Sequence, residues 1–296
     1  MTTATFEVPL PANFHRDVPL RWIGRDAESR TERVDGPNIA KALMIEGKPA
    51  VVHVALGRRS ARCRVEVGTK ASAPLRLAAR HVIDRILGIV ASPAPFERRA
   101  AREPLIARLI TGRRGLRVPL TANVFESLVW TIAGQQVNLA FAYRLRRVVI
   151  ELAGTPIGDF LAHPTAEAVA QLEYDDLTRR QWSRRKAEYV IDVARAVASG
   201  ALDAEALPTR EPARVREELE ALRGFGVWSA SYVMMRGCGF PDCVPLGDTG
   251  LTSALERFYR LDHRPGREET ETLMAPFAPY RSLATFHLWA GGGSDD

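Results

Sequence analysis

Cysteine is scarce in this 296-residue chain: three residues, an odd number, exclude a disulfide framework as the main staple of the fold. Lysine is nearly as scarce, with four (Lys41, Lys48, Lys70, Lys186) against 37 arginines. That bias fits phosphate binding and fits GC-rich coding equally well. No apolar run reaches the ~18 residues of a membrane span, so no membrane contact is expected. The opening MTTATFEVPL lacks the basic-then-apolar layout of a secretory signal, and a cytoplasmic protein is expected. No internal repeat at a fixed period is present.

What is there is an apolar fraction of 46% and a charged fraction of 26%, with room for about two domains. The formal net charge is +6, which suits a polyanionic partner without proving one. Distribution says more than the total. Residues 97–117 hold seven arginines (98, 99, 102, 108, 113, 114, 117) and two glutamates. Residues 177–187 hold Arg179, Arg180, Arg184, Arg185 and Lys186 and no acid. The second cluster surrounds a predicted helix start at Ser183, where cations oppose the helix dipole. A nearby phosphate removes that conflict; a solvated face merely tolerates it.

Residues 1–90 read as mixed α/β. A short apolar run at 51–56, broken by His53, and alternation over 62–67 predict strands that Gly57-Arg58-Arg59-Ser60 could join as a hairpin. A helix is predicted over 75–89, and Pro93 and Pro95 punctuate a domain boundary. The expected domains are 1–95, 96–290 and a frayed tail, 291–296. From residue 121 the reading is all-helical. Asn123 and Glu126 have the form of a capping box. Helices are predicted near 124–134, 138–152, 164–174, 183–199, 212–222, 227–236, 251–259, 268–275 and 281–290.

The most informative stretch is 219–251, LEALRGFGVWSASYVMMRGCGFPDCVPLGDTGL. Gly224-Phe225-Gly226 separates two helices (hairpin at about 214–237). The glycines leave backbone amides uncovered at a helix start, a phosphate site in form. An ordinary helix-helix turn has the same pattern. Trp228 and Tyr232, four residues apart, share one helix face. Such a pair is core packing or a stacking surface for a base. Asp248 precedes the next helix, where its ordinary role is N-cap.

Taken together these residues resemble the helix-hairpin-helix, Gly/Pro-rich loop and Asp signature of a DNA glycosylase superfamily. Within it the chain is most similar to the 3-methyladenine DNA glycosylase II family. FESLVWTIAGQQVNLAFAYRLRRVV from Phe125, the R-K-A helix after Arg184 and PYRSLATFHLW from Pro279 resemble further family motifs in order and spacing. The resemblance is strong over about 115–290. It implies a mostly α fold of two helical subdomains with an N-terminal α+β, antiparallel-sheet domain.

The resemblance also implies an activity, cleavage of the N-glycosidic bond of alkylated purines in double-stranded DNA after base flipping. Asp248 falls at the catalytic position, where a carboxylate stabilises positive character on the sugar and orients water. Trp228, Tyr232, Trp289 and, more loosely, Trp22 fall at the pocket walls; Trp130 and Trp182 are read as packing. Gly224, Phe225, Gly226, Ser229, Arg184, Arg185 and Lys186 are the expected DNA contacts. Gln136 is the expected wedge into the duplex, with a polar loop residue as the alternative. Main-chain carbonyls of Glu220, Leu222 and Phe225 fall where the family holds a monovalent cation, although Arg223 stands where proline is frequent.

A strand-nicking lysine would stand at Trp228, so a monofunctional enzyme is expected. No iron–sulfur cluster is expected, since no cysteine follows Cys243, and zinc is poorly supported by Cys238, Cys243 and an isolated His263. The family precedent is a monomer. Competing readings are a glycosylase for deaminated or oxidised purines, a DNA-binding protein without turnover, and a phosphate-binding metabolic enzyme. The last would want a strand before the glycines.

Overall fold

The computed structural model describes residues 2–68 and 72–291. The expected tail beyond residue 291 lies outside the described residues. The N-terminal part runs β1 (Thr2–Pro9), α1 (Asp17–Ile23), β2 (Glu32–Asp35), β3 (Asn38–Ile45), β4 (Lys48–Leu56), β5 (Ser60–Val67) and α2 (Ala73–Ile86). The strands form one antiparallel sheet in the order β1-β5-β4-β3-β2. The predicted alternation is real: Ala61, Cys63, Val65 and Val67 of β5 point into a core shared with Leu75, Ala79, Ile83 and Ile86 of α2.

The rest follows as α3 (Ala94–Arg99), α4 (Pro104–Ile110), α5 (Val124–Gly134), α6 (Leu139–Ala153), β6 (Thr155–Ile157), β7 (Phe160–Ala162), α7 (Ala166–Ala170), α8 (Tyr174–Thr178) and α9 (Arg184–Ala198). Then come α10 (Pro212–Glu220), α11 (Val227–Val233), α12 (Thr249–Tyr259), α13 (Arg267–Met274) and α14 (Arg281–Gly291). Two helical cores result. One joins α5, α6 and α9 to α10 and α11 through residues such as Leu128, Ile132, Val190, Leu219 and Val233. The other returns α3 and α4 to the C-terminal helices, burying Phe96, Ile106 and Leu109 against Leu255, Met274 and Phe277. Among the described residues no helix is long and apolar enough to cross a membrane.

The all-helical reading of the second half needs correction. Gly154, Pro156 and Gly158 interrupt helix, and the chain makes the β6–β7 hairpin there. Ile157 and Ala162 cover Ala42 and Val51 on the sheet face opposite α2. His163 N–H donates to the Ala42 carbonyl at 3.1 Å. The single helix expected over 164–174 is also two short ones. Glu173 and Asp176 cap α8 reciprocally and force a restart.

Glu126 departs from its predicted capping partner. Asn123 does cap α5, accepting the Glu126 N–H at 2.8 Å, but Glu126 Oε2 accepts from Ala122 instead. Its other oxygen accepts from Lys41 Nζ at 2.7 Å and Arg146 Nη2 at 2.9 Å. Glu32 of β2 completes a buried cluster, also paired with Lys41 and with Arg146 at 2.8 Å. Burial pushes the Glu32 pKa up, but Arg146 and Lys41 outweigh it and hold the value near 2. These four charges lock the sheet domain to α5 and α6. Arg85 of α2 adds a second tie, donating to the Thr121 and Ala122 carbonyls at 3.0 Å and to Gly237.

Candidate active site

The hairpin between α10 and α11 is tight for a specific reason. Gly224 has φ +88°, and a Cβ there would lie 2.3 Å from the Tyr189 ring. Only glycine meets both conditions. Gly226 differs: its backbone is extended and open space surrounds it. Its missing side chain leaves the start of α11 uncovered. Arg223, at the family's frequent proline, turns to α9, pairing with Glu188 at 2.7 Å. The carbonyls of Glu220 and Phe225 accept no hydrogen bond among the described residues, and that of Leu222 accepts the Phe225 N–H at 3.0 Å. Oxygen ligands for a small cation are therefore free at two of the three expected positions.

α11 runs into one wide π turn, Met234–Cys238, whose geometry recurs at functional sites. A loop then leads to Asp248. That loop is pinned by the start of α14. Arg281 grips Asp242 with two bonds of 2.7 Å, and the Ser282 hydroxyl donates to Phe240 at 2.7 Å. The family-like segment after Pro279 thus positions the loop that delivers the aspartate.

Asp248 is N-cap and more. Its Oδ1 accepts the Leu251 N–H at 2.7 Å and the Trp289 indole N–H at 3.2 Å. Its Oδ2 accepts the Trp228 indole N–H at 3.1 Å. Three donors from three elements fix the orientation of the half-buried carboxylate. Gly250 keeps the space beside it clear, since a Cβ there would crowd Oδ1 at 3.2 Å.

The four expected walls do come together. Trp228 and Tyr232 lie 5.6 Å apart by ring centroids, Tyr232 and Trp289 6.4 Å, and Trp289 and Trp22 6.3 Å, stacked. Trp22 comes from α1, so the sheet domain contributes to the site. It borders an open cleft lined also by Val18, Arg21, Arg25, Phe286 and Trp289. Trp130, read from the sequence as packing, donates its indole N–H to the Tyr232 hydroxyl at 2.9 Å. Arg236 and Arg25 stand 4.0 and 4.1 Å from the Trp22 centroid. None of Trp130, Arg236 and Arg25 was flagged by the sequence. The one available signal was that Arg236 continues the stripe of Trp228 and Tyr232 at four-residue steps.

The expected DNA contacts divide. Gln136 is exposed at the α5–α6 turn with φ +53°, a conformation uncommon for residues other than glycine. Its neighbour Gln135 donates to the Gly224 carbonyl at 2.8 Å and to Ser229 Oγ at 3.1 Å, tying the α5–α6 turn to the hairpin. Ser229 is therefore buried and holds the turn from inside, and Phe225 is likewise buried. Lys186 reaches inward to the Ala133 carbonyl at 2.9 Å, and burial pushes its pKa down to about 8. Arg184 is paired with Asp175 and Glu188 at 3.0 Å. Of the three basic residues only Arg185 is exposed without an ion pair among the described residues. Much of the 97–117 cluster is internal too. Arg99 binds Glu103 and two carbonyls, Arg113 the Leu109 carbonyl, and Arg117 the Gly115 carbonyl.

Cys238 and Cys243 are buried thiols, pushed by burial up to about 12 and about 11. Among the described residues no cluster of three or more His, Cys, Asp or Glu gathers as a metal site would require.

Comparisons with known proteins bear on the family and the fold. A DNA-3-methyladenine glycosylase of Bacillus subtilis (strain 168) is 35% identical over 199 residues, 66% of each chain. DNA-3-methyladenine glycosylase 2 of Escherichia coli (strain K12) is 31% identical over 190 residues, 62% of this chain and 63% of that one. The matches thus span just under two thirds of these relatives' lengths. A solved 3-methyladenine DNA-glycosylase from Archaeoglobus fulgidus shares the fold at TM-score 0.83 and 20% identity, covering 97% of this chain and 98% of that one. The family described as HhH-GPD superfamily base excision DNA repair protein matches residues 129–279, just over half of the chain. With its hairpin, pinned loop and capped aspartate, the chain belongs to the HhH-GPD superfamily.

Proposed function

We propose that the chain is a monofunctional DNA glycosylase that releases alkylated purines, of the 3-methyladenine and 7-methylguanine type, from double-stranded DNA in base excision repair. One observation carries the reading: Asp248 is fixed by two tryptophan N–H groups at 3.1 and 3.2 Å beside a ring of aromatic side chains.

Cleavage of the N-glycosidic bond sends its electron pair to the departing base and leaves positive character on the sugar. The Asp248 carboxylate stabilises that character and takes a proton from the attacking water. An N3- or N7-alkylated base already carries positive charge and leaves without a strong acid. Aromatic faces of Trp228, Tyr232 and Trp289 would stack on it, gaining ~0.5–2 kcal/mol for a cation over a ring. Gln136 would fill the gap left by the flipped base, its left-handed backbone holding the side chain at the turn's tip. Gly224, Phe225 and Gly226 present the hairpin backbone to a phosphate.

A monovalent cation on the Glu220, Leu222 and Phe225 carbonyls would place positive charge opposite that phosphate. Trp228 stands where a Schiff-base lysine would act, which supports hydrolysis without strand nicking. We further propose that the protein acts as a monomer in the cytoplasm.

The experiment is release of free base from methylating-agent-treated duplex, wild type beside Asp248→Asn. Asparagine also caps helices, so the fold should survive. Release by wild type alone is the expected result. Duplex binding without release from methylated, deaminated or oxidised DNA would make the chain a non-catalytic binder.

A further inference from the structure

Arg236 is the charged side chain for which the cleavage chemistry has no use. It is 2% exposed, and its Nε and Nη1 have no protein acceptor. Among the described residues it forms no ion pair. Buried arginines are ordinarily paired with carboxylates, and a buried donor without an acceptor is a standing cost. The Trp22 ring, 4.0 Å from its Cζ, is a weaker partner than a carboxylate.

Its place is as telling as its lack of a partner. Trp228, Tyr232 and Arg236 follow at four-residue steps along one helix. Such a step overshoots the 3.6-residue α turn and undershoots the wider π turn. The π segment at Met234–Cys238 therefore brings Arg236 back toward the stripe of the other two. Trp22 covers it, stacked in turn on Trp289, which holds Asp248. Trp22 belongs to a seven-residue helix and is half-buried at the edge of an open cleft, so it has room to yield.

We propose that Arg236 is a specificity determinant whose unspent N–H groups donate to the exocyclic carbonyl of a flipped base that displaces Trp22. The inference rests on the reading of Asp248 as the cleavage centre and adds a substrate class to it. A guanidinium has donors only and no acceptor. It accommodates the 6-oxo oxygen of a guanine- or hypoxanthine-type base and opposes the 6-amino group of an adenine-type base. It is also a fixed positive charge, and so selects against a cationic base with no acceptor to offer it.

The test compares 3-methylguanine and 3-methyladenine, alkylated at the same atom and carrying the same charge. Release of each from methylated duplex is measured as kcat/KM relative to its spontaneous loss, for wild type, Arg236→Met and Arg236→Lys. Methionine removes no ion pair, so a thermal melt at or above the wild-type midpoint is expected. The wild-type ratio should favour the 6-oxo base, and Arg236→Met should lower that ratio about tenfold, as loss of a hydrogen bond to a charged group does. Arg236→Lys, which keeps the charge but moves the donors, should fall between; if methionine does not fold, a lowered ratio in lysine supports the proposal in its place. Equal losses for both bases, or a wild-type preference for the 6-amino base, overturn the proposal. Release of no base at all by wild type overturns the cleavage reading itself, and the proposal with it.

Discussion

Trp228 donates its indole N–H to Asp248 Oδ2 at 3.1 Å. Trp289 does the same to Oδ1 from the opposite end of the chain's helical region. The edges of both rings are thereby committed to the carboxylate, and only their faces remain for a base. Replacing Trp228 with phenylalanine keeps the face and removes the N–H. A hydrogen bond to a charged group contributes ~1.5–3 kcal/mol, so about a ten- to hundredfold fall in kcat is expected. KM for damaged duplex should change little. Single-turnover kinetics on a methylated oligonucleotide separates the two, and a raised KM at constant kcat would assign Trp228 to stacking alone.

Acid should destabilise the protein in two overlapping windows. Burial lowers the His163 pKa from 6.5 to about 4, beside Glu126, Arg146 and Lys41, and lowers that of His287 to about 3, beside Arg113 and His15. The unfolded chain then binds these protons first, so stability is full above pH 6.5 and falls as pH drops toward 4 and 3. Glu32 and Glu126 behave as depressed acids: burial opposes their charge, but Lys41 and Arg146 outweigh it. Their contribution is present above pH 4.5 and is lost as pH falls toward about 2. Denaturant midpoints between pH 8 and 3 should therefore begin to drop near 6.5, and His163→Gln and His287→Gln should flatten that first slope. Glu126→Gln should lose ~3–5 kcal/mol at neutral pH, the cost of breaking a buried pair.

Local signals made most helices beyond residue 121 and the aspartate legible, but not α1, α3 or α4. Asn123, Asn138 and Ser183 cap their helices as the residue types suggest, because a cap is decided within a few positions. Partners were not legible where they come from afar. Glu126 looks like a capping-box residue, yet one oxygen takes the Ala122 N–H and the other goes to a strand lysine 85 positions away and to the next helix. Trp130 looks like packing until Tyr232 folds against it. Arginine clusters reveal where charge is dense and not whether an acid or carbonyl has already taken it. Arg184 holds Asp175 and Glu188 at the surface and Lys186 turns inward to a carbonyl, whereas their neighbour Arg185 has no ion pair among the described residues.

Gly224 and Gly226 look alike in the sequence and should behave oppositely on substitution. Alanine at 224 meets a left-handed backbone and the Tyr189 ring at 2.3 Å. The backbone term alone costs ~1–2 kcal/mol, and the ring must move besides. Gly224→Ala should lower the melting temperature and weaken duplex binding at least tenfold. Gly226→Ala meets nothing within 4 Å and should fold normally. Any loss of DNA affinity in that second variant then reports the phosphate that its methyl group obstructs, measured by fluorescence anisotropy on undamaged duplex.

The same titration, run across salt concentrations, tests which arginines meet DNA. Each phosphate neutralised releases counterions, and log K falls with log salt by ~0.9 per contact. Arg185 has no acid to leave, so Arg185→Ala should reduce that slope by about one contact. Arg184 already satisfies Asp175 and Glu188 at 3.0 Å, and Arg223 satisfies Glu188 at 2.7 Å. Both must break those pairs to reach a phosphate, so their alanine variants should change the slope by less. If all three variants shift it equally, the ion pairs dissolve on binding and the outward-facing charge on α9 is larger than the free protein displays. If none does, the duplex crosses the hairpin without touching α9, and the basic helix start must be explained by its internal contacts alone.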